Sequence, residues 1–518
     1  MSTTALKNQP QLFGHPIGLY VLFFTEMWER FSYYGMRAIL VLYITAKTLD
    51  ANPGLGWTSG EALALYGWYT MLVYVASIPG GLIADNVIGQ KKAVLYGGWI
   101  LVAGHTILAV QQDWAFYTGL GLIIAGVGML KPNISTMVGG LYAPGDDRRD
   151  KGFTIFYIGI NIGAFLSSLI VGFVGEKIGW HYGFGLAGIG MLLGMLVYQW
   201  GQKYLEGIGE YIGSEKSPDK KFKDRPLTQV ERDRMLVMFL SFFLIIVFWG
   251  AFEQAGGLMN LYTKEKTDRH ASMMTLNLIF LIPTALVAIK GFLAKAKKQP
   301  YANYWFVLSA VILVTFLLLK KYVFTDPYEI PASVFQSLNA GFIIIFGTSV
   351  AGFWYNWKKK GREGSSLFKM ALGLIIMGWG FIFMRFAAQE YEATGSSAMY
   401  WLVFAYLFHT IGELCASPVA LSFITKLAPV KYASFMMGAY FAATGFGNKV
   451  AGMIGGSAEG AGELSVFTGL VIFCTVVGLI VLAMLKPLKR LTHGAEDIQL
   501  DADAPEGFEL ADDDDILV

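Results

Sequence analysis

Apolar stretches of about 20 residues, the length a helix needs to cross a bilayer, recur along this chain from Ile17 to Lys486. In lipid every backbone N–H and C=O must be satisfied within the segment, so runs of this length can only be helices. The balance of residues agrees. Of 518 residues 15% are charged and 55% hydrophobic, where an ordinary soluble domain carries about 25% charged residues. The spans fall at 17–46, 63–84, 93–111, 114–140, 153–175, 182–202, 234–262, 274–293, 302–323, 334–357, 367–388, 397–426, 433–456 and 465–486, fourteen in all. Cys415 and Cys474 both lie in apolar runs, which excludes a disulfide framework. The net charge of +2 is distributed without a nucleic-acid patch. The polar stretch MSTTALKNQPQ leads into the first span with no cleavable signal expected.

Loop charges set the orientation. Lysine and arginine favour the cytoplasmic side of short loops, and NVIGQKK, GDDRRDKG, EKSPDKKFKDR, AKAKKQP, YNWKKKGREG, TKLAPVK and KPLKRL are the basic ones. With both termini cytoplasmic, all of them fall on that side of a plasma membrane, as in a multi-pass protein of the bacterial inner membrane. The linker 203–233 separates an N-terminal bundle, 1–202, from a C-terminal one, 234–490, and an acidic tail, 491–518, reads as disordered. Six-span halves on a basic linker resemble the major facilitator fold, all-α, with substrate at the midplane between halves. GGLIADNVIGQKK resembles the loop motif of that superfamily through Gly81, Asp85, Gly89 and Lys91, with Asn86 where a basic residue is usual.

The first span raises a difficulty. FTEMWERFSYYGMR puts Glu26, Glu29, Arg30 and Arg37 inside an apolar run, and each charge costs about 2.5–3.5 kcal/mol at the bilayer centre. At about 100° per residue, Glu26, Arg30, Tyr33 and Arg37 fall within about 60° of one another and Glu29 about 60° from Glu26. Charges gathered on one face can line water and pair, so this face borders an aqueous cavity. Lys131, followed by Pro132, lies deep in the fourth span, Glu253 sits in FWGAFEQAGG, and Glu413 precedes Pro418 in HTIGELCASPV. Prolines and glycines at such places mark the interrupted helices that build substrate and ion sites.

Two second-half carboxylates thus face Arg30, Arg37 and Lys131 of the first half. A solute with a carboxylate at one end and an ammonium at the other suits that arrangement. A buried carboxylate beside cations is also a natural proton carrier, because burial and ion pairing pull its protonation in opposite directions. A hydrolase using Ser417 with His409 is the enzymatic rival. About 80° separates these two around the helix and no third group orients them, so no catalytic residue is assigned, and no metal or organic cofactor is expected.

Four signatures resemble the proton-dependent oligopeptide transporters, the POT or PTR family. ExxERFxYYG appears as Glu26, Glu29, Arg30, Phe31, Tyr33, Tyr34 and Gly35; FYxxINxG as FYIGINIG with Tyr157 and Asn161; FWxxFEQ with Trp249, Glu253 and Gln254; and GELxxSPV with Glu413, Ser417 and Pro418. The resemblance implies a proton symporter of di- and tripeptides, with another small solute, an amino acid or nitrate, as the alternative. It implies proton coupling through Glu26, Glu29, Arg30 and Glu253. The peptide carboxylate would meet Arg30, Arg37 and Lys131, its amino end Asn161, Asn339 and Glu413, and its side chains Tyr33, Tyr34, Tyr74 and Trp249, with Ser417 beside them. Gate pairs Arg37 with Glu253 and Lys131 with Glu413 follow from the same resemblance. Many bacterial members insert two extra helices between the halves; here the runs within about 274–323 place the extra pair after the seventh span.

Overall fold

The computed structural model describes residues 10–143, 146, 148–211, 226–296, 298, 302–429 and 432–495. Part of the expected linker, at 212–225, and the acidic tail from 496 onward lie outside the described residues.

Helices follow the apolar runs. The first half comprises α1 (Ile17–Thr45), α2 (Ser59–Val75), which continues as α3 (Ser77–Ile83), α4 (Gln90–Leu108), α5 (Asp113–Gly140), α6 (Arg148–Lys177) and α7 (Trp180–Gly201). Next come α8 (Gln229–Phe252), a 3-10 turn at Glu253–Ala255 and α9 (Leu258–Lys266). A helical hairpin follows, α10 (Met273–Ala296) and α11 (Ala302–Tyr322). The 3-10 turn Ala332–Gln336 opens α12 (Ser337–Lys359), and α13 (Ser366–Thr394), α14 (Tyr400–Leu427), α15 (Ala433–Ala461), α16 (Glu463–Ala483) and the short α17 (Leu485–Leu491) complete the chain.

Among the described residues, eleven helices are long and apolar enough to cross a membrane. The helices α1, α4 and α15 are not in that set; α1 carries the four charges, α4 begins QKK, and α15 is rich in glycine and contains Lys449 and Glu459. Two of the helices that start earlier than their apolar periodicity predicts, α2 and α8, open on capping boxes. Thr58 and Thr228 each accept from the amide three residues on, and Glu61 and Glu231 reach back to the threonine amides. Such capping boxes satisfy free N–H groups and extend the first turn outward by polar residues.

Within the first half, α1 packs on α6 and α7, and α4 on α5 and α7. Close approach there needs missing side chains: a Cβ on Gly128 of α5 would lie 2.6 Å from the Ala76 carbonyl oxygen. In the second half, α13 packs on α14 and α16, and α15 on α8. The halves meet along α2 with α15 and α6 with α12. A Cβ on Gly67 would stand 3.0 Å from Gly452 Cα, so the α2–α15 seam is a backbone contact.

Residues Asp268–Ile330 form a separate unit. The Phe280 and Phe316 rings stack at 5.0 Å between α10 and α11, and the Ser309 hydroxyl donates to the Thr284 carbonyl at 3.0 Å. Its base is a two-strand ladder, His270–Ala271 with Tyr328–Glu329, tied by Arg269 to the Glu329 carboxylate and the Ile330 carbonyl. Leucine, isoleucine and valine dominate its exposed faces, a surface that suits lipid.

Candidate functional site: a charged cavity between the halves

A cavity of about 1590 Å³ lies between the halves. Its lining extends from Arg37 at one end to Asp85, Gln90 and Arg149 at the other. Eleven of the residues singled out from the sequence line it: Glu26, Arg30, Tyr34, Arg37, Tyr74, Lys131, Asn161, Trp249, Asn339, Glu413 and Ser417.

The wall from α1 is a buried ion cluster. Arg30 Nε donates to Glu26 Oε1 at 2.8 Å and stands 2.6 Å from Glu29 Oε2. Both glutamates and the arginine are buried. Two carboxylates therefore share one guanidinium, leaving one negative charge in excess. Glu26 Oε2, both Glu29 oxygens and Arg30 Nη2 find no hydrogen-bond partner among the described residues. A buried group so placed is costly unless water or a proton completes it.

Lys131 lies over the Tyr74 ring, Nζ 3.8 Å from its centroid; this cation–π contact holds the ammonium at the cavity wall. Opposite, from the second half, Asn339 donates to Glu413 Oε2 at 2.8 Å and to the Thr410 hydroxyl at 3.1 Å. Glu413 has no cationic partner among the described residues, so the expected Lys131–Glu413 pair is not formed. The reason is geometric: these side chains stand on opposite walls where the cavity is open. Asn161 is satisfied within α6, donating to the Tyr157 carbonyl at 2.9 Å.

At the Arg37 end, Arg37 Nη1 donates to both oxygens of Glu253 at 3.0 Å, and the Tyr66 hydroxyl donates to Oε2 at 2.9 Å. The guanidinium also packs over the Tyr34 ring at 4.9 Å. Arg37 and Tyr66 come from the first half and Glu253 from the second, so this expected pair is made and closes that end.

Three expected residues stand off the cavity surface. Glu253 is sealed behind Arg37, and Glu29 is turned into the bundle behind Arg30. Tyr33, expected to line a side-chain pocket, is 3% exposed and packs edge-on against Tyr34, so it supports the wall rather than forming it. Tyr66 is the counterpart that sequence reasoning missed; its bond to Glu253 depends on a contact between halves that helical spacing within α2 does not reveal. Tyr157, Tyr406 and Tyr440 also line the cavity. Tyr157 lies in a quoted signature, FYIGINIG, and could have been taken from it.

Two helical halves around a charged cavity, closed at one end and open at the other, define the class: a membrane transporter of the alternating-access kind. The comparisons narrow it. The POT family profile matches residues 91–218 and 321–461. A di-/tripeptide transporter of Lactococcus lactis subsp. cremoris is 35% identical over 506 residues, covering 94% of this chain and 98% of its own. A peptide transporter of Yersinia enterocolitica subsp. palearctica serotype O:3 is 32% identical over 527 residues, with 94% and 97% covered. The crystal structure of a peptide transporter POT in complex with sulfate matches with a TM-score of 0.78 at 32% identity, over 95% of this chain and 99% of that one. The chain belongs to the POT family, and its fold is the major facilitator fold of those transporters.

Proposed function

We propose that this protein imports di- and tripeptides across a bacterial inner membrane, driven by protons entering with them. Fourteen helices cross the bilayer, both termini lie in the cytoplasm, and the cavity opens to that side. The observation that carries the reading is the placement of charge: Arg30, Arg37 and Lys131 on the first-half wall, and Glu413 with Asn339 across from them. A short peptide has one carboxylate and one ammonium whatever its side chains, and the two walls match them. The excess negative charge on Glu26 and Glu29 provides a place for the coupling proton. Arg37–Glu253 is then the outer gate, and Lys131–Glu413 the inner gate, formed when the open end closes. Relatives named as peptide transporters support the substrate class.

The test is dipeptide uptake into proteoliposomes under an imposed inward proton gradient. Wild type should concentrate dipeptide. Glu26→Gln should lose concentrative uptake while retaining exchange of internal for external peptide. A variant that accumulates peptide as well as wild type refutes the coupling assignment. Competition by free amino acids or nitrate, and none by dipeptides, would move the substrate to the alternative class.

A further inference from the structure

Glu176 sits at the unfavourable end of its own helix. It occupies the last turn of α6, where the partial negative charge of the helix terminus opposes a carboxylate. Its side chain is nevertheless 1% exposed. What satisfies it comes from the other half. The Ser333 amide and the Ser333 hydroxyl each donate to Oε1 at 2.7 Å, and the Lys264 ammonium meets Oε2 at 3.1 Å. Ser333 lies in the first turn of the 3-10 helix that leads into α12, where free amides point outward and favour an anion. Lys264 closes α9. One turn earlier in α6, a Cβ added to Gly172 would stand 3.1 Å from Ser333 Cβ, so the helix approaches at backbone distance.

The position is the closed end of the cavity. Asn52, in the turn after α1, donates to the Gly175 carbonyl at 2.8 Å, which ties the end of α6 to the same face that carries Arg37–Glu253. On the α2–α15 side of that face, Glu459 accepts from the Gly60 amide at 2.7 Å, but Glu459 is exposed and contributes little. Glu176 differs in being buried and in drawing all three of these donors from across the interface.

We infer that Glu176, Ser333 and Lys264 form a second clamp between the halves, peripheral to Arg37–Glu253, that must part each time the outer end opens. The inference rests on the alternating-access reading above. Hydrogen bonds to an ionised group are the strong ones. Loss of this clamp should therefore raise the ratio of outer-open to outer-closed protein about tenfold or more.

The test places spin labels at D50C and E392C, exposed sites on the two halves at the closed end, in a background carrying C415S and C474S. Distances are read by double electron–electron resonance on the full chain in nanodiscs. E176A should add a longer-distance population. S333A, which removes one hydroxyl donor, should shift the ratio about threefold and carries the test should E176A fail to fold. The double variant should shift it no further than E176A alone, since both delete the same contact. Unchanged distances in E176A and in S333A overturn the clamp. Arg37→Ala in the same background then locates the failure. Longer distances there leave alternating access standing; unchanged distances there, together with no dipeptide uptake by the parent protein that keeps Arg37, overturn the transport reading as well.

Discussion

The Arg37–Glu253 pair allows the energetics of closure to be worked from the geometry. Arg37 and Glu253 side chains are 13% and 4% exposed, and the nearest N···O distance is 3.0 Å. At an effective dielectric constant of about 20 their attraction is roughly 5–6 kcal/mol, most of it offset by removing two ions from water. Intact, the pair adds little net stability. Removing one partner is different, because it strands a buried charge at about 3–5 kcal/mol. In the outer-open state water reaches both groups, so that penalty falls on the closed state alone. Arg37→Ala or Glu253→Ala should each shift the closed-to-open ratio about 10²–10³-fold toward open, since about 1.4 kcal/mol is tenfold. The double variant leaves no stranded charge and should lie nearer to wild type than either single, a non-additivity that a double-mutant cycle reads directly. Ala255, in the same 3-10 turn as Glu253, lines the cavity. The assay is labelling of A255C, in a background without native cysteines, by a membrane-impermeant thiol reagent added to the outer face of right-side-out vesicles. Single variants should label about 10² times faster than the parent. A double variant that labels faster than both, by the product of their separate effects, would refute the coupled pair and the closure assigned to it.

Two further expectations concern other parts of the molecule. Lys131 has no ion-pair partner among the described residues and meets the cavity through its ammonium; Lys131→Ala should raise the dipeptide KM about tenfold or more, and unchanged uptake kinetics would remove it from the binding wall. Outside the membrane, His15 Nδ1 lies 2.8 Å from the Tyr142 hydroxyl, and burial, with Arg148 adding to it, holds the imidazole below its ordinary value. The neutral ring is the one the fold favours, so this contact contributes fully above about pH 6.5 and weakens as pH falls through the lower folded value. Amide exchange in residues 10–16, corrected for intrinsic rate, should quicken between pH 7.5 and pH 5, and a protection pattern that ignores pH would refute it.

The helices were legible because lipid leaves the backbone no alternative, and the stripe on α1 because its charges are too costly to be scattered. The starts of α2 and α8 were legible too, in T-S-G-E and T-Q-V-E, had capping been weighed beside hydrophobic periodicity. Other features lay beyond the sequence. Tyr33 and Tyr34 are adjacent, and which of them faces the cavity is fixed by the rotation of α1 against α2, a packing outcome. Tyr66 finds Glu253, and Glu176 finds Ser333, only once the halves have met. The expected Lys131–Glu413 pair is not made in this disposition of the halves, and helical spacing within either half does not say in which disposition two such groups would meet.

Counting the charges suggests why a proton and a peptide travel together. Arg30 answers Glu26 or Glu29 but not both; Arg37 answers Glu253; Lys131 and Glu413 stand apart. Three cations against four carboxylates leave one negative charge in excess. Moving that excess through a closed intermediate would carry an uncompensated charge in a low-dielectric interior, the arrangement membrane proteins avoid. One proton on the Glu26–Glu29 pair brings the sum to zero, and a zwitterionic peptide leaves it there while replacing the separated Lys131 and Glu413 with two satisfied pairs. On the proposed reading, the empty protonated cavity reaches neutrality but not pairing, and the loaded unprotonated cavity reaches pairing but not neutrality. Only the doubly loaded cavity meets both conditions, and coupling then follows from the electrostatic cost of closing around anything less.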